Sequence, residues 1–193
     1  SGLWTPEQTL QAIAVTAATH QVRAGSRWRP MSDTTRDPII AARAQLPWPS
    51  WQRSEDYYSE GALVWLDVDT RIRELSGEAR SLDDFARSFF AAAEAGNGET
   101  RTYRFEDVIA TLDAIAPFDW TDFFRDKIEG RHADAPLEGL ERGGYRLVYR
   151  EEPSDYWANS EAVAGNVNLL FSLGLIVGEA GKVQEVRWEG PAY

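Results

Sequence analysis

Ser54-Glu55-Asp56-Tyr57-Tyr58-Ser59-Glu60-Gly61-Ala62-Leu63-Val64-Trp65-Leu66-Asp67 opens the longest regular pattern in the chain. Onward to Leu75, Tyr58, Ala62, Leu66, Asp69 and Ile72 or Arg73 follow at three- and four-residue steps, the period that lines one face of a helix. Gly77 stands behind them as a stop. The spacing therefore predicts a central helix from about Glu55 to Leu75, and with it a mainly helical fold.

Working outward, Thr5-Pro6-Glu7-Gln8 reads as a helix start, with Thr5 as cap, Pro6 at the first helical position and Gln8 closing a capping box. That helix is expected to run to about Gln21. Between Ala24 and Ser54, Pro30, Pro38, Pro47 and Pro49 each remove a backbone donor, which predicts a long ordered loop with one helical turn near Asp37-Pro38-Ile39-Ile40. Trp28, Trp48 and Trp51 make this loop too aromatic for a flexible linker. Ser81-Leu82-Asp83-Asp84 opens the next helix, with Phe85, Phe89 and Phe90 as its expected buried face and Gly96-Asn97-Gly98 as its end. Phe105 begins a helix that ends before Pro117, and Asp119 caps another reaching Gly130.

After the link from His132 to Gly144 the pattern changes. Tyr145-Arg146-Leu147-Val148-Tyr149-Arg150 alternates, and Val183, Val186 and Trp188 do the same among polar neighbours. Two units are expected: a helical bundle over residues 1–140 and a β-rich segment over 144–193.

The chain carries 31 acidic against 20 basic side chains, a formal charge of −11, which repels phosphate backbones and makes nucleic acid an unsuitable partner. No apolar run approaches a spanning helix, so no membrane segment is expected. With no cysteine, disulfides and thiolate metal sites are excluded, and the compartment stays open, a soluble periplasmic or cytoplasmic place in a bacterium both being compatible. His20 and His132 are far apart with no second histidine at ligand spacing, which reads as surface or helix-end histidines and assigns no metal ligand. The acidic pairs Asp67 with Asp69, Asp83 with Asp84 and Glu151 with Glu152 lack the spacing of a calcium loop and read as solvated faces and caps. No phosphate loop, dinucleotide fingerprint or nucleophile elbow occurs.

The text from Ser54 to Asp67, with Arg71-Ile72-Arg73 and Ser81 to Phe85, resembles the glycyl aminopeptidase family of PDZ-containing zinc metallopeptidases of the gluzincin type. The resemblance implies that Tyr58, three residues before Gly61, faces the zinc and donates a hydrogen bond to the oxyanion formed when water attacks a peptide carbonyl. A phenol suits that role because it donates without carrying charge. Tyr57, Glu60 and Gly61 are candidate substrate contacts. Glu60 would meet a substrate's free amino group, although an acid in a first helical turn is also expected from the macrodipole alone.

The family's His-Glu-x-x-His helix and later glutamate do not occur in this sequence. Leu3-Trp4-Thr5-Pro6-Glu7 is similar to text that follows the third zinc ligand, so the expectation is a C-terminal fragment of the catalytic region. Zinc would then belong to the full-length parent, with none bound here and no activity from the fragment alone, and the parent would release glycine or small residues from the N-terminus of peptides. Leu173-Gly174-Leu175-Ile176-Val177-Gly178, Lys182 to Trp188 and Gly190-Pro191-Ala192 look like the first part of a PDZ domain, in which Ser172, Leu173, Gly174 and Leu175 stand at the carboxylate-binding loop. A non-catalytic helical scaffold with a PDZ-like peptide-binding module is the alternative. An unpaired strand edge offers a route to a homodimer.

Overall fold

The computed structural model describes residues 4–38, 48–94 and 102–193. The chain is mainly helical with a small antiparallel sheet near its C-terminus. In order come α1 (Pro6–Val22), a 3-10 turn (Gly25–Arg27), α2 (Met31–Thr34), α3 (Asp56–Ser76), α4 (Leu82–Glu94), α5 (Phe105–Ile115), α6 (Trp120–Glu129), α7 (Glu138–Arg142), α8 (Asp155–Ala164), β1 (Val167–Leu169), β2 (Leu175–Val177) and β3 (Val183–Val186).

The helix boundaries follow their local chemistry. Thr5 Oγ1 accepts from Gln8 N–H at 3.2 Å while Gln8 Oε1 accepts from Thr5 N–H at 2.9 Å, the reciprocal box that starts α1. α3 stops at Gly77, whose φ of 59° is left-handed and whose N–H turns back to the carbonyls of Arg73 and Glu74. Asp119 accepts from Asp122 N–H at 2.9 Å and starts α6.

α3 is buried on two sides. Val64, Val68 and Ile72 join Met31, Phe85, Leu112, Ala116, Trp120 and Phe124 in the main core. Leu63 packs instead with Ala17 of α1 and Leu140 of α7. Trp120 is wholly buried and satisfies its indole N–H on Ala116 O at 2.9 Å. α7 lies directly on α3 at Gly139: a Cβ there would fall 2.5 Å from Asp67 N and 2.7 Å from Asp67 Cα, so only glycine fits.

Several sequence expectations need correction. Tyr145–Arg150 forms no strand: only Leu147 is partly covered, while Tyr145, Val148 and Tyr149 are each half or more exposed. Leu147 packs on the Ala17, Leu63 and Leu140 cluster, and Tyr149 Oη donates to Gln21 Oε1 of α1 at 2.9 Å. Within the segment expected to be β-rich stands α8, capped by Ser154, which accepts from Trp157 N–H, and ended by left-handed Gly165. Phe90 points outward, 62% exposed, against the edge of Phe89. The expected turn at Asp37 to Ile40 runs into residues outside the described ones, and the Gly96-Asn97-Gly98 stop and Leu3 lie wholly outside them.

In the sheet β2 is central, with Val167 opposite Val177, Leu175 opposite Val186 and an irregularity at Ile176/Val177. Trp188 joins this segment to the first loop: its N–H donates to buried Ser50 Oγ at 2.8 Å, and its ring meets Trp48, Trp51 and Tyr193 at 5.1 to 5.7 Å. Trp28 stacks on Trp51 at 4.8 Å, so the aromatic loop is packed as its composition predicts.

Candidate functional site

The start of α3 gathers an unusual set of charges below the surface. Arg53, Asp56, Glu60 and His20 are all less than a tenth exposed, whereas Tyr58 between them is 72% exposed. Arg53 Nε donates to Asp56 Oδ2 at 3.1 Å, and its Nη2 donates to Glu60 Oε2. Its Nη1 reaches Arg29 O at 2.7 Å, and Arg29 Nη1 returns a bond to Arg53 O at 2.9 Å. Arg29 is itself held by Asp37 at 2.6 and 2.9 Å, and Arg23 stands 3.4 Å from Asp56 Oδ1.

His20, in the last turn of α1, is a helix-end residue as expected but not a surface one. Its Nε2 shares a hydrogen bond of 2.9 Å with Ser59 Oγ, and Nδ1 lies 4.0 Å from Glu60 Oε2. Burial first, then Arg23 and Arg53, lowers its pKa from 6.5 to about 4, so the imidazole is neutral at neutral pH. Asp56 and Glu60 are each pushed above the ordinary carboxylate range by burial, against the pull of the arginines. His132 is half-buried, with Nε2 at 2.8 Å from Asp126 O near the end of α6.

The candidate contacts divide between surface and interior. Tyr58 projects from the first turn of α3 with its ring 4.7 Å from that of Tyr57. Tyr57 is partly buried against the main core, and desolvation, then Glu55, raises its phenol pKa. Gly61 lies one turn beyond Tyr58, and a Cβ there would meet nothing within 4 Å among the described residues, which leaves the helix surface beside Tyr58 open to them. Glu60 faces inward, bound to Arg53, and also borders a cavity of about 210 Å³ with Lys127, His132 and Glu138. The chain elements thus bring Tyr58 and Gly61 to one surface and take Glu60 to the other side.

In the sheet, Ser172 N–H and Gly174 N–H both donate to Leu169 O, at 3.2 and 2.8 Å, while Gly174 O accepts from Arg187 N–H at 2.6 Å. Leu173 is 53% exposed. Asp67, read from sequence as a solvated face, is almost completely buried: Arg142 Nη1 donates to its Oδ1, and Arg71 and Lys127 flank it at 3.9 and 4.0 Å.

His20, Asp56 and Glu60 form the one group of three His or carboxylate residues close enough to share a metal among the described residues, their ligand atoms lying within 4.8 Å of one another. They do not fit a zinc ion. The Arg53 guanidinium bridges both carboxylates, and a cation at ligand distance of about 2 Å would have to displace another cation. Sequence reasoning missed this cluster because Arg53 carries no motif and Asp56 reads as an ordinary first-turn acid.

No helix of the described residues is long and apolar enough to cross a membrane. A search of curated proteins finds no match to the chain. Residues 1–64 match the model of the M61 glycyl aminopeptidases, a stretch that contains Tyr58 and the whole of the buried His20, Arg53, Asp56 and Glu60 cluster. Over that stretch, about a third of the chain, the sequence is similar to the M61 glycyl aminopeptidases.

Proposed function

We propose that the chain serves an aminopeptidase acting on peptides with N-terminal glycine or other small residues, and that Tyr58 is its oxyanion donor. The observation that carries this reading is the contrast at the start of α3: Tyr58 is 72% exposed while Asp56 and Glu60 on either side are buried and bonded. A solvent-facing phenol on an anchored turn offers an uncharged hydrogen-bond donor to a developing oxyanion. Open space at Gly61 allows a peptide backbone to approach the helix beside it. The zinc implied by the family belongs, in this proposal, to the full-length parent, and no residue of this chain is assigned to it.

Removing one such donor typically costs roughly 100- to 1,000-fold in turnover. Tyr58→Phe in the full-length peptidase is expected to lose that much kcat with an unchanged melting temperature, since the side chain makes little buried contact. Activity within a few-fold of the parent would refute the role.

The competing reading is a peptide-binding scaffold whose β1–β2 loop captures a C-terminal carboxylate. Such capture uses free backbone N–H groups, and those of Ser172 and Gly174 are engaged by Leu169 O. The geometry therefore favours the peptidase reading.

A further inference from the structure

The turn that carries Tyr58 is held against its own chemistry. Glu55, the residue before α3, has φ 51° and ψ 18°, a left-handed conformation disfavoured for any residue with a Cβ. No side chain caps the helix at this end. Asp56 and Glu60 are four residues apart on one face, where like charges repel and where water would be the natural surrounding. Burying that face is therefore unfavourable unless partners inside the protein compensate it.

Arg53 supplies that compensation. Its guanidinium spans Glu55 to reach Asp56 and Glu60 together, and its position is fixed from behind by the reciprocal bonds with Arg29. The His20 bond to Ser59 at 2.9 Å secures the next inward residue. With residues 53, 56, 59 and 60 all tied inward, Tyr58 is left one direction to point.

We propose that Arg53 is a positioning residue for Tyr58, turning the acidic face of the first α3 turn into the protein so that the phenol faces out. Its catalytic consequence rests on the reading of Tyr58 as oxyanion donor; the positioning itself does not.

The test uses this chain with ring-labelled tyrosine, the Tyr58 signal being assigned through Tyr58→Phe. In the wild type that signal carries a ring-current shift from Tyr57, 4.7 Å away. Arg53→Met alone leaves buried Glu60 without its arginine and Asp56 with Arg23 only, and risks unfolding, so the decisive variant combines Arg53→Met, Asp56→Asn and Glu60→Gln. The expected result is a cooperatively folded protein whose Tyr58 signal moves to the free-tyrosine position. In the full-length peptidase the same variant is expected to lose kcat on the order of 100-fold with little change in KM, the cost of misplacing a group by about an ångström. A folded triple variant with the Tyr58 signal unmoved would overturn the positioning role, and a moved signal with unchanged kcat would overturn its catalytic consequence. If Tyr58→Phe proves fully active, the oxyanion reading fails while the resonance still decides whether Arg53 sets the turn.

Discussion

Replacing His20 by Gln isolates how the buried cluster responds to acid. His20 holds its pKa at about 4 rather than 6.5 because burial, then Arg23 and Arg53, penalises the imidazolium. An unfolded chain takes up that proton near pH 6.5, whereas the folded one waits until about 4. In that window the unfolded state binds one more proton, so stability falls as pH falls, by about 1.4 kcal/mol per pH unit. The contribution is complete above pH 6.5 and lost on descending through pH 4, a total of about 3 kcal/mol. Asp56 and Glu60 act in the opposite sense: their raised pKa values mean that the folded state takes protons first, which favours it as pH falls. Both carboxylates remain in His20→Gln, so the difference between the two proteins reports the histidine. Urea unfolding at several pH values between about 7 and about 4.5 should give a wild-type curve that declines more steeply than the variant's, the difference changing by about 2.4 kcal/mol over that range. Parallel curves would refute the assignment of a neutral, buried His20.

Gly139→Ala is expected to destabilise by about 3 kcal/mol, the upper range for an overpacked core, because its Cβ would press on Asp67 backbone where α7 meets α3. Thermal unfolding would check it, and a neutral effect would mean that α7 can lift away freely. Adding zinc to this chain should leave the melting temperature unchanged, since Arg53 already bridges Asp56 and Glu60; a concentration-dependent rise would show that the metal displaces the guanidinium.

Much of the helical layer was legible from local signals. The Thr5 box, the Gly77 stop, the Asp119 cap and the α3 periodicity each act within a few residues, so sequence neighbours suffice to specify them. The same holds for α8, whose Ser154 cap and Gly165 stop were present but overshadowed by the alternation before them. That alternation failed as a strand signal because a period of two supplies no partner strand to pair with. Leu147 packs on the Ala17, Leu63 and Leu140 cluster, whereas Tyr149 stays largely exposed and only its hydroxyl reaches Gln21 of α1.

The candidate site divides along the same line. Sequence alone singled out Tyr58 and Gly61, because the surrounding text resembles a known family, while the acidic composition argues against nucleic acid and the lack of cysteine rules out thiolate ligands from this chain. Only the tertiary structure decided that Asp56 and Glu60 face inward, that His20 is buried and neutral, that Asp67 lies in the interior, and that Arg53 sits where a metal would otherwise be sought. The physical reason is that burying a charge depends on its partner. His20 and Arg53 come from different parts of the chain, and the desolvation they relieve or suffer exists only once α1, the first loop and α3 have packed together.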